Sequence, residues 1–311
     1  MKILITGGAG FVGSNLVRQA VEAGHRVAVL DDLSTGYADN LEGLDVRFVN
    51  GSVTDRRILE QICAGQDSIV HLGALGSVPR SISDPRRSHD VNVNGTLEVL
   101  EAARAVGVSH VVFSSSSSVY GKNPALPKHE REWVRPMSPY AVSKLAAEQY
   151  VLAYQQSFGL STLAFRFFNV YGPGQRPNHA YAAVIPVFLE RLAKAHPLPV
   201  NGDGMQSRDF TYVGTVASVL LDAVERRVVN DEPVNLAFGT NTTLLQLVEI
   251  IQSITGRSAE LRFHDPRPGD VPHSQAQNSS LLQLFPGVAS VRLEDGIRET
   301  WEWMQRHLKT D

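Results

Sequence analysis

The chain has 311 residues, of which 43% are hydrophobic and 20% charged, and its formal net charge is −3. This length allows one large domain or two coupled ones with a buried core. The charge gives no general field that would attract nucleic acid or an anionic membrane. The single cysteine, Cys63, cannot form an internal disulfide, and we see no secretory signal and no apolar run of ~20 residues. We therefore expect a cytoplasmic protein with no nucleic-acid or membrane partner.

Short apolar runs alternate with longer helical patterns in the first half of the chain. This alternation predicts a parallel sheet that is covered by helices on both faces, an α/β doubly wound (Rossmann) fold in residues 1–166. The carboxyl ends of parallel strands share one edge, where ligands bind. The predicted strands are 2–6, 26–30, 46–50, 68–72, 110–114 and 161–165. The predicted helices are 14–23, 56–63, 92–106 and 140–158.

After about residue 166 the loops become longer and richer in glycine and proline. This change predicts that residues 167–311 form mainly a smaller α/β substrate-binding domain, with a segment at about 210–240 returning to the first domain. Ile297, Trp301 and Met304 share one helical face, which favours helix packing over an exposed binding surface. The helices predicted here are 183–195, 214–226, 243–255 and 294–307.

Three glycines, Gly7, Gly10 and Gly13, follow the first predicted strand at the spacing G-x-x-G-x-x-G. In a dinucleotide-binding turn the first glycine allows the tight turn, the second lets backbone approach a pyrophosphate, and the third lets the helix pack on the strand. The N-terminus of the following helix then faces the phosphate charge. A structural turn has the same letters, but the strand, the helix and a downstream acid together predict a bound dinucleotide.

That acid is Asp31, at the end of the second predicted strand. A carboxylate there accepts hydrogen bonds from the adenosine ribose hydroxyls and would repel a 2′-phosphate, so NAD is favoured over NADP. The neighbouring Asp32 either shares this role or is a solvated charge.

Tyr140 and Lys144 are four residues apart on one predicted helix and therefore share a face. An ammonium beside a phenol favours the phenolate, so we expect Lys144 to lower the pKa of Tyr140 and make it a base for an alcohol proton. This pair is common on exposed helices. Here it follows a run of five serines, Ser114 to Ser118, at a strand end in a dinucleotide-binding chain, which favours catalysis.

The stretches TGGAGFVGS, LDDLSTG, SSSSSVYG and SPYAVSK resemble the extended short-chain dehydrogenase/reductase family over nearly the full length of the chain. The second half, with RFFNVYGPGQRPNHAYAAVIP, NGDGMQSRDFTYV and RPGDVPHSQA, is similar to the NAD-dependent UDP-hexose 4-epimerases of the UDP-glucose and UDP-N-acetylglucosamine type. The cofactor-binding residues that this resemblance implies are Gly7, Gly10, Phe11, Val12, Gly13, Asp31, Asp32, Ser34, Thr35, Gly36, Ser52, Val53, Leu72, Gly73, Ala74, Asn92, Ser114, Tyr140, Lys144 and Phe168.

The resemblance also implies roles in catalysis. Tyr140 is the base and acid at the sugar 4-hydroxyl, Lys144 holds the nicotinamide ribose, and Ser116, with Ser117 and Ser118 near it, relays the proton. No metal ion is expected. The substrate-binding residues implied are Ser77, Ser116, Ser118, Asn169, Arg176, Val184, Val200, Asn201, Arg208, Arg267, Asp270 and Ser274. Among these, Arg208 and Arg267 would neutralise the diphosphate, and Asp270 would accept from the uridine ribose.

Ser118 bears on the choice of reaction. At this place the 4,6-dehydratases have a sequence that looks like TDEVYG, and the decarboxylases have one that looks like S-E-V-Y-G. Both have an acidic residue directly before Val-Tyr-Gly. Here that residue is Ser118, so reversible oxidation at C4 of a UDP-sugar is favoured. The alternatives are a UDP-glucuronate 4-epimerase, another nucleotide-sugar oxidoreductase, and a dinucleotide sensor that has lost catalysis.

Three positions depart from or refine the family pattern. Ser274 leaves room for an N-acetyl group where a bulky residue would exclude it. Arg176 replaces an expected aspartate and also matches a guanidinium that binds the carboxylate of a glucuronate. Ser52 replaces an aspartate near the adenine, which weakens one hydrogen bond to NAD. The family usually dimerises through the helices predicted at 92–106 and 140–158, so we expect a homodimer.

Overall fold

The computed structural model describes residues 1–177, 183–265 and 271–307. The strands are β1 (Lys2–Thr6), β2 (Arg26–Asp31), β3 (Val46–Asn50), β4 (Ser68–His71), β5 (His110–Ser116), β6 (Ser161–Phe167), β7 (Val170–Tyr171), β8 (Leu198–Asn201), β9 (Ser207–Arg208), β10 (Thr211–Tyr212), β11 (Val234–Leu236), β12 (Thr242–Thr243) and β13 (Leu261–His264). The helices are α1 (Phe11–Glu22), α2 (Arg56–Cys63), α3 (Val78–Ser83), α4 (Pro85–His89), α5 (Gly95–Val106), α6 (Pro139–Phe158), α7 (Val184–Ala193), α8 (Val213–Glu225), α9 (Leu244–Thr255), α10 (Ser279–Leu284) and α11 (Leu293–His307).

Seven strands form one parallel sheet in the order β11-β6-β5-β4-β1-β2-β3. The strand order reverses between β1 and β4, which is the topological switch point where doubly wound sheets bind ligands. The predicted Rossmann fold is confirmed.

Alternating side chains of β1 divide the core of the sheet into two layers. Ile3 and Ile5 pack with α1 and α8 on one face, whereas Leu4 packs with α2, α5 and α6 on the other. Because both faces of the central strands are covered, β1 and β2 are buried almost throughout, whereas the edge strand β3 is largely exposed. Cys63 lies in the second layer, where burial raises the pKa of its thiol to about 12.

Segments from the second half of the chain complete this sheet. β11 pairs with β6 through Val234, Asn235 and Leu236, and α8 packs along α1. β11 is not among the predicted strands, because three residues are too short a run to show a period.

The remaining elements form a third core beside the carboxyl edge of the sheet. It contains α7, α9, α11 and three two-stranded pairings, β10-β7, β12-β9 and β13-β8. Thr243 begins α9 with a capping box closed by Gln246. Trp301 is 7% exposed within this core, as the helix-packing interpretation expects.

In the part of the chain that the structure describes, no helix is both long and apolar enough to span a bilayer. The same part has no cluster of three His, Cys, Asp or Glu side chains that would hold a metal ion.

Candidate active site

The glycine turn between β1 and α1 forms the floor of a first cavity. Gly7 has φ +70°, a conformation that favours glycine, and a Cβ there would lie 2.8 Å from the backbone nitrogen of Gly73. A Cβ on Gly13 would collide with the carbonyl oxygen of Gly7. The turn thus needs glycine at both positions.

The start of α1 suits a pyrophosphate. Gly10 is the N-cap, no side chain caps the helix, and its first turn has no acidic residue. The first-turn N–H groups of an α-helix have no partner within the helix and carry partial positive charge. Phe11 and Val12 line the cavity at this point.

Asp31 is fixed beside the glycine turn. One carboxylate oxygen accepts from Ala9 N at 3.0 Å and the other from Leu33 N at 2.9 Å. Burial raises the pKa of Asp31, and these two hydrogen bonds partly oppose that rise. The lone pairs that these bonds leave can accept from ribose hydroxyls.

The first cavity, which we call the cofactor cavity, gathers most of the predicted cofactor residues. Those that line it are Gly7, Gly10, Phe11, Val12, Gly13, Asp31, Asp32, Ser34, Thr35, Val53, Leu72, Gly73 and Ala74. The glycine turn, the helix start and the fixed carboxylate together fit a dinucleotide with two ribose-linked phosphates.

Two predicted cofactor residues support this cavity without lining it. Gly36 lies against the side chain of Asp31, because a Cβ on Gly36 would be 2.9 Å from Asp31 Oδ1. The Ser52 hydroxyl pairs with Thr54 Oγ1 at 2.9 Å, and its neighbour Gly51 lines the cavity instead. The contact predicted between Ser52 and the cofactor stays a prediction.

Tyr140 and Lys144 lie in a second cavity, which adjoins the first and which we call the catalytic cavity. Pro139–Phe158 starts with Ser138 as its N-cap, so both residues lie in the first two turns and face the end of β5. Lys144 Nζ donates to the carbonyl oxygen of Ser114 at 2.6 Å and lies 5.0 Å from the Phe113 ring centroid.

The effect expected of Lys144 on the pKa of Tyr140 stays a prediction, and burial opposes it. Burial raises the pKa of Tyr140, and the opposing effect is a hydrogen bond with Ser116. Lys144 is only 4% exposed, and burial lowers its pKa to about 7. The ammonium that should stabilise the phenolate is thus itself destabilised by desolvation.

The serine run extends from β5 into a 3₁₀ turn, Ser117–Tyr120. Ser118 Oγ donates to Ser116 Oγ at 2.8 Å, and the Ser116 side chain forms a hydrogen bond with Tyr140. A chain of hydroxyls therefore leads to the phenol. The predicted residues that line the catalytic cavity are Ser114, Ser116, Ser117, Ser118, Tyr140, Lys144, Asn169, Arg208 and Ser274.

Asn92 is 1% exposed and contacts α6, the helix that carries Tyr140 and Lys144. Its Oδ1 accepts from Leu75 N at 2.8 Å and its Nδ2 donates to Ser143 Oγ at 2.9 Å. Ser143 in turn donates to the carbonyl oxygen of Tyr140 at 2.8 Å. The side-chain amide of Asn92 is thus bonded to protein, and its contact with the cofactor stays a prediction.

The side chains of two predicted residues face away from the cavities, because successive side chains of an extended backbone point to opposite sides. Phe168 is fully buried against Tyr120, and Phe167 lines the catalytic cavity instead. Val200 on β8 is fully buried in the third core, whereas Asn201 lines a third cavity. These two side chains line none of the three cavities, and the contacts predicted for Phe168 and for the backbone around Val200 stay predictions.

The third cavity, which we call the nucleotide cavity, joins the catalytic cavity through Asn169, Val170 and Arg208, which line both. Arg208 Nη1 donates to the carbonyl oxygens of Ser207 and Pro272, which holds the guanidinium at the junction. The predicted residues that line the nucleotide cavity are Asn169, Val184, Asn201 and Arg208.

Two predicted substrate residues, Ser77 and Arg176, are not brought to this junction. Arg267 and Asp270 lie outside the described residues. Ser77 and Arg176 line the cofactor cavity; Ser77 caps α3 by accepting from Arg80 N, and Arg176 pairs with Asp39 at 2.7 Å.

Several lining residues were missed from the sequence. Tyr37, Asn40 and Gln175 line the cofactor cavity, Lys128, Met137 and His273 the catalytic cavity, and Gln206, Phe188 and Phe210 the nucleotide cavity. The sequence could have predicted Phe210 as a lining residue, because it lies two residues after Arg208. The sequence could not have predicted Lys128, because its place depends on pairing with the distant backbone of Gln275 and Gln277.

The chain matches the model of the NAD dependent epimerase/dehydratase family over residues 3–237. It belongs to this family. A UDP-glucose 4-epimerase of Mycolicibacterium smegmatis is 36% identical over 311 residues, which cover 98% of this chain and 99% of the relative.

Two solved structures share the fold over nearly their whole length. A UDP-N-acetylglucosamine 4-epimerase of Methanobrevibacter ruminantium, in complex with UDP-N-acetylmuramic acid, has a TM-score of 0.94 and 35% identity, covering 98% of both chains. A UDP-glucose 4-epimerase of Thermotoga maritima with UDP-glucose has a TM-score of 0.94 and 35% identity, covering 99% of this chain and 100% of that one. The predicted family and the NAD cofactor are confirmed.

Proposed function

We propose that the protein is an NAD-dependent 4-epimerase of UDP-hexoses that works through a transient 4-keto sugar. One observation carries this choice within the family. Among the residues that the structure describes, no aspartate or glutamate lines the catalytic cavity. Elimination and decarboxylation would use an acidic group beside the tyrosine, whereas reversible oxidation at one carbon needs only the hydroxyls and the phenol that are there.

Proton transfer falls to Tyr140 and Ser116. The phenol removes the proton of the 4-hydroxyl, directly or through Ser116, and returns it in the second half of the reaction. Ser118, bonded to Ser116 at 2.8 Å, fixes the orientation of that relay. A bound NAD would supply hydride transfer from and back to the sugar, and its positively charged ring would favour the phenolate. Lys144, one helical turn from the phenol, would hold the nicotinamide ribose.

Inversion requires the sugar to turn while its nucleotide stays in place. Asn169 and Arg208 lie at the junction of the nucleotide and catalytic cavities. A guanidinium binds phosphate oxygens through parallel donors. Arg208 therefore anchors the diphosphate while the keto sugar presents its opposite face to the cofactor cavity.

Ser274 gives the catalytic cavity room at the sugar. It lines this cavity together with His273, and its small side chain leaves space for an N-acetyl group. We infer that UDP-N-acetylglucosamine and UDP-N-acetylgalactosamine are substrates along with UDP-glucose and UDP-galactose. Arg176 gives no support to the glucuronate alternative, because its guanidinium lies against Tyr37 and Asp39 at the cofactor cavity.

The test is to incubate the protein separately with UDP-glucose, UDP-N-acetylglucosamine and UDP-glucuronate and to follow the C4 configuration by NMR. We expect the 4-epimers of the first two. Tyr140→Phe should lower kcat by about a thousandfold, since it removes the general base, and leave NAD bound. No epimer from any of the three sugars would overturn the proposal, and epimer from UDP-glucuronate alone would replace its substrate.

We further propose that the protein is a homodimer joined through α5 and α6. Helix α6 exposes the side chains of Val142, Tyr150 and Phe158, by 52%, 41% and 54%. Exposed apolar side chains on one helix mark a surface for association. Light scattering should give twice the mass of one chain, and Val142→Asp with Tyr150→Asp should give the monomer; a monomeric wild type would contradict this.

A reducing compartment, the cytoplasm, is the location we propose. The single thiol, Cys63, is buried and suits a compartment that keeps thiols reduced. Fractionation of the source cells should recover the protein with cytoplasmic markers, and recovery with an extracytoplasmic fraction would contradict this.

A further inference from the structure

Arg176 joins two distant segments of the chain at the rim of the cofactor cavity. Its Nη2 lies 2.7 Å from Asp39 Oδ2, and its guanidinium carbon lies 3.9 Å from the centroid of the Tyr37 ring. Arg176 and Tyr37 both line the cavity. The side chains of Arg176 and Asp39 are 25% and 57% exposed, so the pair lies at the outer edge, above the buried glycine turn.

The residues just before Arg176 lie across the start of α1. Asn15 Nδ2 donates to the carbonyl oxygen of Pro173 at 3.0 Å. Gly174 has φ +90°, and a Cβ there would approach Asn15 Nδ2 to 3.4 Å. Residues 173–176 thus cross from the third core to the dinucleotide turn, and they end in the ion pair with Asp39.

Gln175 adds an observation that points to a ligand. Its Nε2 donates to the carbonyl oxygen of Val170 at 3.1 Å. Its Oε1 is buried and accepts no hydrogen bond from the described residues, and the residue lines the cofactor cavity. A buried acceptor without a donor costs free energy, and a hydroxyl or amide donor of a dinucleotide would satisfy it.

We propose that Arg176 is a cofactor-retention residue, which ties residues 173–176 across the cofactor cavity through Asp39 and Tyr37 and thereby slows the release of NAD. A guanidinium suits the task because it forms an ion pair and stacks on an aromatic ring at once. The proposal rests on the NAD dependence of the family and not on which sugar is bound.

The rate of NADH release tests this directly. The protein is loaded with NADH, mixed in a stopped flow with excess NAD and no sugar, and followed by NADH fluorescence. Arg176→Ala should speed release by about fivefold to tenfold, since it loses an exposed ion pair and a cation–π contact. Asp39→Asn should speed release in the same direction, and the double variant should be no faster than Arg176→Ala alone.

A matched control separates this effect from the general loss of a surface charge. Arg131 and Glu232 also form an exposed ion pair between distant segments, at 2.9 Å, but neither lines the cofactor cavity. Arg131→Ala should leave the release rate unchanged. An unchanged rate of NADH release in Arg176→Ala would overturn the proposal. It would also be overturned if the double variant released NADH faster by the product of the two single-variant effects. A rise in KM for UDP-glucuronate with unchanged NADH release would instead assign Arg176 to the sugar.

Discussion

The cofactor cavity and the nucleotide cavity are built in different ways. The first is formed by turns that follow β1, β2 and β4 of a single parallel sheet, so short sequence motifs carry most of its residues. The second is assembled from separate segments around β8, β9 and α7, which only tertiary packing brings together. The comparison teaches that backbone shape creates the cofactor site, whereas side-chain charge and size create the substrate site. Substitutions should therefore affect the two sites separately and by different means.

Gly13→Ala should have the largest effect on binding, and that effect should fall on the cofactor site alone. The added Cβ collides with the carbonyl oxygen of Gly7, and relieving this clash distorts the turn that faces the pyrophosphate. The Kd for NAD should rise by about 100-fold or more, as isothermal titration would measure. Gly287→Ala is the control, because a Cβ there meets nothing within 4 Å. Normal NAD affinity in Gly13→Ala would show that backbone shape is not what makes this site.

Lys144 should make the stability of the cofactor-free protein depend on pH. The folded pKa is about 7 against 10.5 for an ordinary lysine. Between these values the unfolded chain binds more protons than the folded one, so stability should rise with pH. The slope from this one group approaches about 1.4 kcal/mol per pH unit. Urea unfolding between about pH 7.5 and about pH 9.5, a range that lies between the two pKa values, should show this rise in the free energy of unfolding. The Lys144→Met variant should not show it. Equal slopes in both proteins would mean that the buried amine keeps its proton.

Arg208→Leu should weaken the substrate site and spare the cofactor site. Loss of a charge-assisted contact to the diphosphate should raise KM for UDP-sugars by about 30-fold. Arg208→Lys should lie between this variant and the wild type, because an ammonium keeps the charge without the fork. Initial rates by NMR give KM, and NADH release should be unchanged. An equal loss of affinity for NAD would contradict the separation of the two sites.

Ser274→Tyr should have the smallest effect, on the choice of sugar. A large side chain in the catalytic cavity should lower kcat/KM for UDP-N-acetylglucosamine relative to UDP-glucose by about tenfold. Competition between the two sugars in one NMR sample measures the ratio. A ratio equal to that of the wild type would remove Ser274 from the sugar pocket.

The same difference between the two regions explains what the sequence predicted. The glycine turn, Asp31 and the Tyr140–Lys144 pair were found because each is a local pattern on one strand end or helix. The side chains of Asn92, Phe168 and Val200 line none of the three cavities, because their facing depends on hydrogen bonds and strand alternation that a motif does not show. Arg176 was placed with the sugar because its partners, Tyr37 and Asp39, are far away in the chain.

Ionisation was also beyond the sequence. Spacing correctly placed Lys144 one helical turn from Tyr140, but the depth of burial determines the pKa of both groups. A sequence pattern shows which groups are neighbours and not how much water they keep.

The central claim is that this carboxylate-poor cavity oxidises and re-reduces one sugar carbon. UDP-glucose that carries deuterium at C4 tests it most directly, with the products followed by NMR and mass spectrometry. We predict UDP-galactose that keeps its deuterium at C4, because the hydride leaves and returns without exchange with water. Replacement of that deuterium by solvent hydrogen, or a dehydrated product with no galacto epimer, would contradict the account.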